Sequence, residues 1–181
     1  MLLLGESCYD WEAHGTHFEP EDDHPITLVT DAIDSPATIK NITMRKLTQA
    51  ICGCAFPSSD QARQCRNEFA FTNYVAESVG FGPAQGPSKA AWQRAAVEWP
   101  KLLELIKPLT IIVLGKTMWT KMPDADVCVS YDVQGYRLKS GEIAMCTAVK
   151  HPSRGPSWPE YAKTIEKVEG GKVHRFGIGE G

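Results

Sequence analysis

Apolar positions along the chain follow two spacings. Leu2 to Leu4 is a short unbroken apolar run that predicts a buried strand. It stops at Gly5, where Glu6, Ser7, Cys8, Tyr9 and Asp10 follow at once. Thr110 to Leu114 is a second such run, closed by Gly115. Phe69 to Val75 is rich in aromatic and branched residues and predicts another strand, as does Val127 to Tyr131. Tyr136 to Leu138 and Ile143 to Val149 predict a hairpin across Lys139 to Gly141. Helical spacing takes over elsewhere. Ile39, Ile42, Leu47 and Ile51 form a stripe behind a Ser35-Pro36 start and end near Gly53. Trp92, Ala95, Ala96, Trp99, Leu102, Leu103 and Ile106 form another behind Ser88, with Pro100 expected to kink or divide that helix. A last helix is expected from Ser157-Trp158-Pro159-Glu160 to about Val168. Residues 12 to 35 read as a long polar loop, and Gly80 to Pro87 as a Gly/Pro-rich one.

Strands alternate with helices over a length that fits one domain, residues 1–181. That order predicts an α/β fold, a three-layer α/β/α sandwich with a mostly parallel sheet. Ligands of such sheets bind beyond the carboxyl ends of the strands.

Composition changes this picture little. No apolar run reaches the ~18 residues that suggest a membrane span, and the start lacks the basic residues of a signal peptide. The expectation is a soluble cytoplasmic protein. The net charge of −3 conceals an asymmetry: residues 1–39 carry nine acids and no Lys or Arg, leaving 13 acids against 19 bases in the rest. A polyanion partner is neither required nor forbidden, since binding depends on a local basic face. The acidic stretch 12–24, with His14, His17 and His24, holds metal-ligand types but reads more simply as a solvated loop. Of the six cysteines, Cys52, Cys54 and Cys65 could hold a metal or cluster, though no pair has CxxC spacing. The plainer reading is reduced, half-buried thiols.

Three predicted strand ends carry polar clusters: Gly5 to Asp10, Thr72-Asn73, and Lys150-His151-Pro152-Ser153-Arg154-Gly155. In a parallel sheet all three leave the same edge. Each has a structural reading beside the functional one, because a lone strand Asn is often a local hydrogen-bonding device and a lone His often a packed one.

Taken together, these stretches resemble the uracil-DNA glycosylase superfamily over most of the chain. LLLGESCYD looks like its first motif, where an apolar strand ends in Gly and a polar loop holds the water-activating group. FAFTNYV looks like the strand whose Asn reads the base. WPKLLELIKPLTIIVLG is similar to a helix–Pro–strand segment of its bacterial and archaeal branches, and HPSRG to its last motif, which pushes into the duplex. The resemblance implies a central, mostly parallel four-stranded sheet, a DNA partner, a monomer and no cofactor.

It also implies roles. Gly5 and Asn73 would line the base pocket, with Tyr9 against the pyrimidine C5 position and Phe18 stacked on the flipped base. Tyr9 packed at a strand end and Phe18 as loop packing are the alternatives. His151 would stabilise charge developing on the base. Lys150, Ser153, Arg154 and Gly155 would contact DNA, or else form a solvated turn. The best-studied branch has an Asp where this chain has Ser7, so Glu6, Asp10 or, less directly, Ser7 are the candidate water activators. Glu6 bonding backbone N–H groups of its turn is the other reading. The iron–sulfur branches carry an N-terminal CxxC that this chain lacks, so no cluster is expected. Gly115-Lys116-Thr117 is not a phosphate loop, because that motif needs Gly where Thr110 stands.

The expectation is therefore a monofunctional DNA glycosylase acting on uracil or a related base. Two alternatives remain: an inactive relative that binds nucleic acid or a protein, and a hydrolase of free nucleosides or of another modified base.

Overall fold

The computed structural model describes residues 1–13, 16–18, 42–81, 86–155 and 157–169, with backbone alone for 8–13, 16–18, 66, 80 and 81. The strands are β1 Leu2–Gly5, β2 Cys8–Ala13, β3 Thr16–Phe18, β4 Ala70–Asn73, β5 Ser78–Phe81, β6 Thr110–Leu114, β7 Val127–Ser130, β8 Val133–Arg137 and β9 Ile143–Val149. The described helices are α1 Ile42–Cys52, α2 Ser59–Arg66, α3 Lys89–Ile106, α4 Lys116–Trp119 and α5 Trp158–Val168.

The main sheet is mixed and six-stranded, in the order β4-β1-β6-β9-β8-β7. This corrects the expected four-stranded sheet. Four consecutive strands from one edge, β4, β1, β6 and β9, are parallel, and β8 and β7 extend the sheet antiparallel. The extra pair forms because only 138–142 separate β8 from β9, too few residues for a parallel crossover. Both faces are covered. Leu2, Leu4, Ile111 and Val113 pack with Trp92, Ala95, Trp99 and Leu103 of α3. Leu3, Ile112 and Leu114 pack with Met44, Leu47 and Ile51 of α1 and Tyr161 and Ile165 of α5. Alternate residues of one strand thus feed opposite cores, as an unbroken apolar run requires.

A second sheet, β3-β2-β5, corrects the polar-loop reading at residues 12–13 and 16–18 and the loop reading at 80–81. Tyr9, Trp11 and Ala13 alternate in sequence with Asp10 and Glu12, the period of a strand, and the charges hid it. Residues 19–35, His14, and the expected Ser35-Pro36 helix start lie outside the described residues; α1 is described from Ile42.

Pro100 does not divide α3, which is one 18-residue helix. Ser88 caps its start, accepting from the Ala91 N–H at 3.1 Å. Lys107 ends it in the left-handed region at φ 48°, and Pro108 prevents continuation. The unforeseen α2 begins with a reciprocal cap, Ser58 Oγ accepting from the Gln61 N–H and Gln61 Oε1 accepting from the Ser58 N–H. No described helix is long and apolar enough to cross a membrane.

Candidate functional site

Parallel pairing aligns Gly5 with Asn73, Leu4 with Val113, and Leu114 with Val149. The polar segments that follow β1, β4 and β9 therefore leave one edge of the sheet. The outermost of these strands, β4 and β9, lie three spacings apart, about 14 Å.

At the β4 side, Asn73 lies over Gly5. A Cβ on Gly5 would run into Asn73 Oδ1, and Phe71 Cζ would stand 3.3 Å from it. Gly5 is thus needed for close approach, and the half-buried Asn73 amide fills the space its hydrogen leaves. Pairing continues past the strands: the Tyr74 N–H donates to Gly5 O at 2.8 Å and the Val75 N–H to Glu6 O at 2.9 Å. This holds the Glu6-Ser7 turn against β4 before β2 and β5 depart as the second sheet. Glu6 and Ser7 are half-buried, and Ser7 Oγ is enclosed with no hydrogen-bond partner. A ligand or water reaching it would gain an unused donor and acceptor. Cys8 to Asp10 continue as β2, so Tyr9 and Asp10 follow Ser7 by two and three residues; Phe18 ends β3 beside Trp11. The side chains of Tyr9, Asp10 and Phe18 lie outside the described residues.

At the β9 side, residues 150–155 form a compact turn. The Arg154 N–H donates to His151 O at 3.0 Å. His151 Nδ1 accepts from the Ser153 N–H at 3.3 Å and lies 2.8 Å from Ser153 Oγ. With Nδ1 accepting, the proton of the neutral ring sits on Nε2. Desolvation of the ring, and then the nearby Arg154 charge, lower the His151 pKa from its ordinary value, which favours that neutral form; the residue as a whole is exposed, so the shift is screened by solvent. Lys150, Ser153 and Arg154 are exposed at the rim.

Two residues unforeseen from the sequence hold this turn. Lys46 Nζ on α1 donates to Pro152 O at 2.8 Å and Gly155 O at 3.1 Å. Tyr161 on α5 donates its hydroxyl to Lys150 O at 2.9 Å and packs where a Gly155 Cβ would be. Tyr161 falls on an amphipathic helix and carries a readable core signal. Lys46 carries none, because its partners are backbone carbonyls 106 and 109 residues away.

Gly115 adopts φ 154° at the end of β6, and the short α4 after it buries Met118 in the core. Among the described residues no group of three or more His, Cys, Asp or Glu is placed to hold a metal ion.

The edge thus brings together Gly5, Glu6, Ser7 and Asn73 on one side and the His151 turn on the other, with Lys150 and Arg154 outside. It can present an amide to a hydrogen-bonding ring edge, a neutral imidazole N–H to an oxygen gaining charge, and cations to phosphate. No protein-family model matches the chain, and no curated protein matches it in sequence.

Proposed function

We propose that this protein is a monomeric, monofunctional DNA glycosylase. It hydrolyses the N-glycosidic bond of uracil, or of a related modified base, after that nucleotide is turned out of the DNA. One observation carries the reading: the Asn73 amide and the Nε2–H form of His151 flank one edge of the parallel strands.

The chemistry follows from those groups. Asn73 offers a donor and an acceptor to the flipped base. As the bond from base to C1′ breaks, electrons move onto the base, and His151 Nε2–H donates to the carbonyl oxygen that gains charge. A neutral donor suits this role, since no proton need leave the ring. Water then attacks C1′, oriented by Glu6, Asp10 or Ser7. Lys150, Ser153, Arg154 and the close turn at Gly155 engage the flanking phosphates. The product is a free base and an abasic site, with the strand intact and no cofactor used.

The test is alkaline cleavage of labelled oligonucleotides containing uracil, single-stranded and opposite G or A. Cleavage by the wild type that is lost in His151→Ala and Asn73→Ala supports the reading. Absence of abasic product with uracil and with a panel of other modified bases overturns it.

Ser7 favours a second reading, an inactive relative that binds nucleic acid through the same edge. A carboxylate stands at that position in the best-studied branch of the superfamily the sequence resembles. Binding without turnover would distinguish it.

A further inference from the structure

The described cysteines include one pair in direct contact, away from the candidate site. Cys52 ends α1 and Cys65 lies in the last turn of α2. Their Sγ atoms are 2.9 Å apart, and the residues are 1% and 2% exposed. Cys54 nearby is half-buried. A disulfide bond is about 2.0 Å long, so closure needs about 0.9 Å of approach. Among the described residues these thiols form no group placed to hold a metal ion, and Cys52 and Cys65 are in direct sulfur–sulfur contact.

We propose that Cys52 and Cys65 are a reversible modification site: they close to a disulfide by exchange with a low-molecular-weight disulfide such as glutathione disulfide, and reopen with a dithiol. In the first step the thiolate of one of the two cysteines attacks one sulfur of glutathione disulfide, forming a mixed disulfide and releasing one glutathione thiolate. The other cysteine then gives up its proton to solvent, and its sulfur attacks the protein sulfur of the mixed disulfide. The second glutathione leaves as thiolate. Two protein thiols are oxidised by two electrons, and one disulfide becomes two thiols.

The contact itself sets no order: either thiol can donate to the other at 2.9 Å, so either sulfur can attack first and its neighbour, already in contact, resolves the mixed disulfide. Both residues are buried, so the reagent reaches them only through local opening; residues 53–58 join the two helices, and Phe56 there is 84% exposed.

The closed form ties α1 to α2, and α1 also carries Lys46. Oxidation thus braces the helix that holds the His151 turn, whatever that turn does.

The experiment treats the full chain with glutathione disulfide, blocks remaining thiols with iodoacetamide, and maps tryptic peptides by mass. The expected product is peptide 47–63, which holds Cys52 and Cys54, joined to 64–66, which holds Cys65, with two hydrogens lost. It should persist in Cys54→Ser, vanish in Cys52→Ser and Cys65→Ser, and reverse with dithiothreitol. The oxidised wild type should melt about 5–10 °C higher. Failure of the joined peptide to form, or its loss in Cys54→Ser, overturns the proposal. Neither result bears on base excision.

Discussion

The Asn73 amide occupies the space that any side chain on Gly5 would need. One residue ends β1 and the other ends β4, and the register places them opposite each other. Gly5→Ala would push against Asn73 Oδ1 and Phe71, both on β4. Overpacking of this kind costs about 1–3 kcal/mol. The expected melting temperature falls by roughly 3–10 °C, and uracil excision falls further than Asn73→Gln alone lowers it, because the amide is displaced. A variant with wild-type excision and an unchanged melting curve would show that Asn73 has another place to go.

His151→Ala should lower excision by about 10²–10³-fold, the usual loss when one donor to a developing oxyanion is removed. Substrate binding should change little, because the interaction strengthens only as the bond breaks. Single-turnover kinetics on a uracil oligonucleotide separate the two. A loss confined to binding would mean that His151 contacts DNA rather than the reacting base.

Burial and Arg154 both lower the His151 pKa, so the folded chain binds this proton less readily than the unfolded chain. Activity that needs the neutral ring is therefore full above the lowered value and declines as pH falls through it. Arg154→Gln removes the second cause and should move the acid limb of the pH–rate profile upward. Stability follows the same sign: His151 opposes folding increasingly as pH drops below the unfolded value of about 6.5. An acid limb that stays in place in Arg154→Gln would assign it to another group.

The parallel core was legible because β1 and β6 are unbroken apolar runs, a pattern only a strand buried on both faces supports. The three polar strand ends could therefore be placed on one edge from the pattern alone. The second sheet was not legible, since Asp10, Glu12 and His17 gave it the composition of a loop. Pro100 misled in the other direction: packing along α3 kept one helix where the local rule predicts a break. At the site, Asn73 and His151 were visible as residue types. Their supports were not: Tyr161 shows only as a core position of its helix, and Lys46 acts on carbonyl oxygens 106 and 109 residues away, where backbone acceptors leave no mark on a sequence.

The last prediction concerns those supports. Lys46 donates to Pro152 O and Gly155 O, and Pro152 is buried. Hydrogen bonds from a charged donor contribute about 1.5–3 kcal/mol. Lys46→Met keeps most of the aliphatic stem and removes the donor. The turn then loses its tie to α1 while Tyr161 still holds Lys150 O. The melting temperature should fall by roughly 3–10 °C, and excision should fall well below wild type with the His151 acid limb intact. Lys46→Arg, which restores a donor of the same charge, should recover part of both. Excision unaffected in Lys46→Met, despite lower stability, would mean that the turn holds its catalytic shape through Tyr161 and its own internal bonds.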